Sequence, residues 1–476
     1  MPDFSHLSPE RSPGIKLLFV AIVGAVLTIP LLLIYALVYD RQDQSQTAQA
    51  AINAGWGGQQ VIAGPLVAVP YRATETQTEQ VAGGQSVSRS VEVERTLYIS
   101  PQSNRVVTRI EPQERQKSIY KSVLYTAQVN GEARFALPDD LARFGVSAGQ
   151  LQWDRAELRL GVSDARGLTG GGTLRADGRV LATEPGRGPA ASGGQGFFAF
   201  LPWTGEGELE VDYAFGARGS GSLTLVPRGG ATQWAVASSW KSPSFTGSFL
   251  PDRREVSDRG FAAQYRVDKL ALGQPPVASA DLGPPQVETG GGASMVPMDR
   301  TEVAPGEAGA PGRALTIALV EPVDLYSKVN RSVKYGFLFI GFTFLAFFLF
   351  DVVGGARVAA AEYLLTGAGL VLFFVLLLAF AEVIGFTAAY ILASAAIIGL
   401  ITAYSAAVLR TWKRARFMAA LLVGLYALLF VLLNLEAWSL LIGAVLLFAA
   451  LAGVMYATRK VDWSAVGRRE EVSASV

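Results

Sequence analysis

Five apolar runs follow one another between residues 335 and 458, with the charged residues in the short gaps between them or, for Asp351, at the end of a run. They cover 335–353, 363–381, 386–409, 417–435 and 438–458, and each is close to the ~20 residues that a helix needs to cross a ~30 Å hydrocarbon core. A water-soluble core has no use for five such runs in succession. In lipid, helices are the expected solution, because a helix satisfies its own backbone polar groups where no water can. The chain is therefore an integral membrane protein, and every other segment has to be placed relative to this bundle.

A sixth apolar run, 15–39, lies near the N-terminus and is followed by Asp40, Arg41 and Asp43. A cleavable secretory signal would have an apolar core of only ~7–15 residues with a small-residue cleavage site close behind. Ala48-Gln49-Ala50 has the right residue types but lies well past the apolar stretch. The run is expected to be a retained signal-anchor helix behind a polar tail, 1–14, with a kink at Pro30. Orientation follows from Lys and Arg in short loops. Arg410, Lys413, Arg414 and Arg416, then Arg459, Lys460, Arg468 and Arg469, and Arg11 with Lys16, all fall on one side of a six-helix arrangement. That side is the cytoplasmic one, so both termini, including the tail 459–476, are expected inside. Residues 40–331 are then expected outside and 332–458 in the bundle. Lys328, Arg331 and Lys334 fall on the opposite side, beside a long translocated segment where the rule is weak.

The outer segment reads as β structure. Of the 476 residues 50% are hydrophobic, yet 17% are charged, which fits a membrane part joined to an ordinary soluble part. Leu158, Leu160 and Val162 alternate with polar or small residues, as do Leu209, Val211, Tyr213 and Phe215, then Phe261, Ala263, Tyr265 and Val267, and Leu315, Ile317 and Leu319. Period-two patterning between Gly, Pro, Asn and Asp predicts mainly antiparallel strands with one wet face, as a β-sandwich or two stacked β-modules. Residues 138–144 are expected to form one short helix. The Gly/Pro-rich stretch 273–312 carries too little apolar area to offset its ordering entropy, so it is expected to be a disordered loop, or else an interaction arm. Residues 77–90 are expected to be a smaller loop of the same kind. The strand order cannot be assigned from the pattern.

Few chemistries remain open. The chain has no cysteine and one histidine, His6, so thiolate nucleophiles, disulfides, Cys or His metal sites and a Ser-His-Asp triad are excluded from the outer segment. No cofactor and no metal is expected. A net charge of +1 gives no bulk field for nucleic acid. Two carboxylates stand out: Asp164 in Ser163-Asp164-Ala165-Arg166-Gly167, and Glu255 in Arg253-Arg254-Glu255. Either could belong to a carboxylate-based site, or be a salt-bridged or turn-capping acid beside its arginine. Gly193-Gly194-Gln195-Gly196 precedes an aromatic, strand-like run rather than a helix, so it reads as a tight turn and not a phosphate cradle. In 238–251, Trp240, Phe245 and Phe249 sit among serines and prolines without clean alternation. They are expected either to line a groove suited to glycan or peptide contacts or to close a corner of the β core. Asp351, Glu362, Glu382, Arg410, Asn434 and Glu436 all fall at the ends of the expected helices, whereas a transport or proton path would place an ionisable group near the midplane.

With these residues in view, the chain resembles the CreD family, the inner-membrane cell envelope integrity proteins of Gram-negative bacteria. The resemblance is carried by Gly64-Pro65-Leu66-Val67-Ala68-Val69-Pro70, by Ser163 to Gly167, and by Gly193 to Gly196. It continues through Ser238-Ser239-Trp240, Phe249-Leu250-Pro251, Arg254-Glu255-Val256-Ser257 with Gly260-Phe261, and Pro322-Val323-Asp324 with Tyr326. In the membrane part it rests on Glu362-Tyr363-Leu364-Leu365 and on Glu382 with Gly385-Phe386-Thr387. It implies a Gram-negative inner-membrane protein with a large periplasmic domain, linked to envelope integrity, envelope stress, β-lactam response and a carbon-source-responsive two-component system, with no established catalytic residues. The expected function is non-enzymatic binding or scaffolding through the periplasmic domain, with the bilayer and a cell-wall, lipid or protein partner. Asp164, Arg166, Trp240, Phe245, Phe249 and Glu255 form the candidate contact set. The alternatives are a transporter or lipid-handling protein working through the bundle, and a carboxylate-dependent periplasmic hydrolase.

Overall fold

A computed structural model describes residues 13–81, 85–289, 292–295, 308–319, 325–352, 358–409, 411–434 and 439–459. The chain forms two compact units, Met1–Gln46 with Val323–Val476, and Thr47–Pro322. The helices in chain order are α1 (Pro13–Ala54), a one-turn α2 (Lys269–Leu272) inside the β unit, α3 (Leu325–Lys334), α4 (Gly336–Val352), α5 (Ala360–Ile384), α6 (Phe386–Val408), α7 (Trp412–Asn434) and α8 (Ser439–Thr458).

Among the described residues five helical stretches are long and apolar enough to cross a membrane: Leu17–Ala54, Leu325–Asp351, Ala360–Ile384, Phe386–Val408 and Trp412–Asn434. In α8 the corresponding stretch, Leu441–Gly453, is shorter. Two boundaries differ from the sequence expectation. α1 does not stop at Asp40; it runs on to Ala54, 42 residues in all, or about 63 Å at ~1.5 Å per residue. Charge ends an apolar run without ending a helix. Here Gln44 donates to the Asp40 carboxylate one turn away (2.9 Å), and the residues beyond are mostly good helix formers. The second stretch opens with α3, an amphipathic helix that buries Tyr326, Val329, Ser332 and Val333 and carries Lys328, Arg331 and Lys334. Between α5 and α6 the chain reverses at Gly385, whose φ of 80° suits a residue without a side chain.

Aromatic rings fill the bundle core. Phe373 meets Tyr426 at 4.6 Å and Tyr390 at 5.6 Å between centroids, and the Tyr390 hydroxyl donates to the carbonyl of Tyr426 (2.6 Å). Small residues let the helices close in: a Cβ on Gly367 would come 2.1 Å from a methyl of Leu27.

The second unit contains β1 (Gln60–Val81), β2 (Gln85–Ile99), β3 (Ser103–Lys117), β4 (Tyr120–Phe135), β5 (Glu157–Val162), β6 (Leu168–Ala176) and β7 (Arg179–Leu181). These are followed by β8 (Glu184–Pro185), β9 (Gly196–Phe200), β10 (Leu209–Ser220), β11 (Ser222–Val226), β12 (Ala231–Ser238), β13 (Pro243–Gly247), β14 (Arg253–Ser257) and β15 (Gly260–Val267). The last are β16 (Val277–Ala278), β17 (Asp281–Gly283), β18 (Gln286–Thr289), β19 (Gly292–Met295), β20 (Ala308–Pro311) and β21 (Leu315–Leu319). One sheet runs β13-β21-β11-β1-β5-β9-β8, with β2 taking over along β1 and β16 pairing β2. The other runs β14-β15-β12-β3-β4-β10-β6-β7. Most pairings are antiparallel, but β1 with β11 and β12 with β3 are parallel, so both sheets are mixed. Side chains of both sheets join one contiguous core, from Val67 and Ile99 to Tyr125, Trp234 and Tyr265. This is a single sandwich rather than two stacked modules.

The two sheets differ in what covers them. β3, β4 and β10 alternate buried and exposed along much of their length, so the β3–β4–β10 face of the second sheet is wet. β5, β11 and β21 are buried on nearly every residue, because the far side of the first sheet is covered too. Val61, Ala63, Ala191 and Val226 form a small second core there, with Leu282 against it. Leu282 belongs to the segment expected to be a loop. Instead, β16 and β17 are ordered, and Asp281 is buried against Arg228 while accepting from the Ala190 amide (2.6 Å). A buried ion pair supplies the fixing that the segment's small residues lack. Residues 290–291 and 296–307 of the expected loop lie outside the described residues. Residues 77–81 and 85–90, also expected as a loop, continue the β1–β2 hairpin, with Gln77 opposite Arg89. The expected short helix appears as one 3₁₀ turn, Leu141–Phe144.

Candidate functional site

The Ser163–Gly167 motif is a knot joining the segment after α1, Gly58 to Val61, to the end of β5. Asp164 caps the turn: its Oδ2 accepts from Gly58 N (3.1 Å) and its Oδ1 from Arg166 N (3.1 Å). The Arg166 guanidinium adds two bonds of 2.9 Å, one to each oxygen. That forked contact holds the Asp164 carboxyl below its ordinary pKa. Buried Gln60 ties the same turn inward, donating to Arg218 O (2.7 Å) and Asp164 O (3.2 Å). Ser163 Oγ accepts from Val61 N (2.9 Å) and donates to Gln59 O (3.1 Å). Gly167 has to be glycine here, since a Cβ would fall 2.4 Å from the carbonyl of Arg218. Alongside, Trp56 donates to Tyr125 O (3.2 Å) and lies under Arg218 (4.6 Å from its ring). The motif thus takes the turn-capping, salt-bridged form. Asp164 is largely spent on architecture, while the Arg166 side chain is 73% exposed.

The aromatic stretch is a crossing between sheets. After β12 the chain leaves the second sheet, adds β13 to the edge of the first, and returns to the second as β14. Trp240, Phe245 and Phe249 are half-buried and pack against the main core. Trp240 donates to Ser242 O (3.1 Å), Phe245 meets Phe261 edge-on at 5.7 Å, and Arg313 lies over the Phe249 ring at 5.8 Å. These contacts describe a corner closing the β core. Glu255 lies on β14, an edge strand with every residue exposed. The structure does not bring the candidate set together. β5, which leads into Asp164 and Arg166, lies four strands from β13, about 19 Å at ~4.8 Å per strand.

A different constellation emerges on the wet face of the second sheet. Arg105 of β3 pairs with Glu132 of β4, Glu132 with Asp212 of β10, and Asp212 with Arg175 of β6. The register therefore lays four exposed charges in one row across four strands, in the order plus, minus, minus, plus. They line an open cleft of about 350 Å³ together with Asn130 and Thr173. Among the described residues none of the four is in an ion pair. Like charges directly opposite each other disfavour strand pairing, so the Glu132–Asp212 pair does nothing for the fold. The floor is firm: buried Tyr213 donates to Asn104 Oδ1 (2.8 Å), and its ring occupies the space that a Cβ on Gly131 would take. Each strand's alternation marks its charges as wet; the row follows only once the register is known. Among the described residues there is no group of three or more His, Cys, Asp or Glu placed to hold a metal ion.

Apolar helices of membrane-crossing length, joined to one large mixed-sheet sandwich, define a multi-pass membrane protein with a substantial extramembrane β unit. A family model described as inner membrane protein CreD matches residues 12–464, and the chain belongs to that family. It is 33% identical over 460 residues to "Inner membrane protein CreD" of Escherichia coli (strain K12), covering 94% of this chain and 93% of that protein. Among solved structures, an M1 zinc metallopeptidase from Deinococcus radiodurans aligns at 8% identity over 68% of this chain and 94% of that one. Its TM-score is 0.21, so the likeness carries no argument.

Proposed function

We propose that the protein supports envelope integrity or the envelope stress response as a non-enzymatic binding protein, with α8 as a sixth span, both termini in the cytoplasm and the β unit in the periplasm. The basic residues after the fourth and last spans support the orientation. A reporter active only in the cytosol, inserted between residues 300 and 301, is expected to stay silent; a signal there would invert the topology.

The observation that carries the binding reading is the row Arg105, Glu132, Asp212, Arg175. It suits a partner that presents a cationic group to the central acids and anionic groups to the flanking arginines, such as a cell-wall peptide, a lipid headgroup or a protein segment. Arg166 and Glu255 are exposed and separate from it, so they serve as controls. In a strain lacking the chromosomal copy, Glu132→Lys with Asp212→Lys is expected to abolish rescue of detergent and β-lactam sensitivity at unchanged protein level. Arg166→Ala and Glu255→Ala are expected to retain rescue. Full rescue by the double variant would sink the assignment of the cleft.

A further inference from the structure

The sequence left one feature unabsorbed: Lys328, Arg331 and Lys334 lie on the side of the bundle where basic residues are not expected. In the structure they sit on α3. Lys328 donates to Asn434 Oδ1 (3.1 Å) and lies over the Phe386 ring. Lys334 is different. It is exposed, makes no ion pair among the described residues, and holds its ammonium 5.8 Å from the Tyr35 ring of α1.

That contact is the next turn of an apolar groove. Between α1 and α4 lies a cleft of about 350 Å³, bounded by Gly24, Thr28 and Leu31 on one side and Phe337, Gly341 and Phe344 on the other. The volume lies at the lower end of the ~300–1,000 Å³ found for small-molecule sites. α1 and α4 meet near its end, where a Cβ on Gly336 would touch Leu31 at 3.1 Å. Deeper in, they part: a Cβ on Gly24 or Gly341 would meet nothing within 4 Å. Tyr35 is one turn past Leu31 on α1, and Lys334 one turn before Phe337. The groove therefore ends at a cation and at the paired hydroxyls of Tyr35 and Tyr39, 2.8 Å apart. Tyrosine and lysine together are the residues that meet lipid headgroups.

We propose that this groove binds one anionic phospholipid, with an acyl chain between α1 and α4 and its headgroup at Lys334 and the Tyr35–Tyr39 pair. Charge complementarity selects this occupant. A helix from a second copy would fill the apolar cleft but leave the ammonium without a counter-charge. An anionic headgroup supplies one, and the O–H left free by the Tyr35–Tyr39 hydrogen bond donates to its phosphate. The site needs only that α1 and α4 lie in the bilayer, and is independent of the β-unit reading.

The test is native mass spectrometry of the full-length protein in detergent, given phosphatidylglycerol or phosphatidylcholine of identical acyl chains. The wild type is expected to retain one phosphatidylglycerol roughly fivefold better than phosphatidylcholine, the factor one basic residue near an anionic headgroup supplies. Lys334→Gln should bring the two lipids to parity. Gly341→Leu, placed where there is room for the side chain, should fill the groove and release both. Equal retention of both lipids by the wild type, an unchanged preference in Lys334→Gln, or undiminished binding in Gly341→Leu would each overturn the proposal. A dimer that Gly341→Leu dissociates would overturn it in favour of a second copy as occupant.

Discussion

Replacing Asp281 by alanine tests how the small-residue segment before β21 is held. Asp281 and Arg228 are both 3% exposed at the side chain, and the pair joins β17 to the chain just beyond β11. Its Oδ2 also takes the Ala190 amide, so the carboxylate ties three segments together. Arg228 Nε already has no partner among the described residues, so losing Asp281 leaves a guanidinium buried without counter-charge. Breaking a buried pair from one side costs about 3–5 kcal/mol, because the remaining charge is uncompensated. For a unit of this size that corresponds to a fall in melting temperature of roughly 10 °C. Replacing both residues, Arg228→Met with Asp281→Leu, removes the stranded charge and should recover most of the loss. The readout is tryptophan fluorescence of the full-length protein in detergent during heating, with the buried Trp234 as one reporter of the sandwich. A shift below about 2 °C for Asp281→Ala would mean that segment is not fixed by this pair.

Three further outcomes follow from the geometry. Gly167→Ala should destabilise the β unit by about 1–3 kcal/mol, since its Cβ meets the Arg218 carbonyl and the Gln60 amide that is hydrogen-bonded to it; chemical denaturation measures this. Asp164 has a folded pKa below its ordinary value, so its contribution is present above the ordinary carboxylate pKa and lost as pH falls through the folded one. Asp164→Asn should therefore flatten the acid limb of stability from the ordinary carboxylate range downward, with little change in slope at neutral pH. Phe245→Ala should lower the melting temperature through lost packing against Phe261; a stable variant with a pure binding defect would return Phe245 to the contact surface.

Legibility in the sequence tracked the length of apolar runs and the alternation of large apolar residues. The spans could be read because lipid demands length and apolarity together, and α5, α6 and α7 lie close to where 363–381, 386–409 and 417–435 place them. β10 and β15 could be read because one face is wet, so their apolar residues alternate. β9, buried on both sides, showed no period and read only as an aromatic, strand-like run, whereas β5 and β21, covered on both sides too, kept an alternation of large apolar residues with charged or small ones. β17 was missed because an ion pair, not apolar area, fixes it, and β16 because it brings only Val277 into the core while pairing with β2. The extension of α1 was missed because charge was taken to end the helix as well as the apolar run. Of the candidate contact residues, Asp164 and the three aromatics are tied into the framework. The charged row could not be foreseen, since it joins residues of β3, β4, β6 and β10 by register alone.

The position of β1 has a consequence for biosynthesis. It leaves the ribosome before any other strand, yet it lies in the middle of its sheet. Gln60 must wait for Leu223, and Leu223 in turn for Ile317. Until β21 is made, just ahead of α3, the nascent unit carries an unfinished sheet edge, the kind of surface that mispairs. Completion of the sandwich is thereby timed to delivery of the remaining spans, and a delay between the two would expose the chain to aggregation before it is whole.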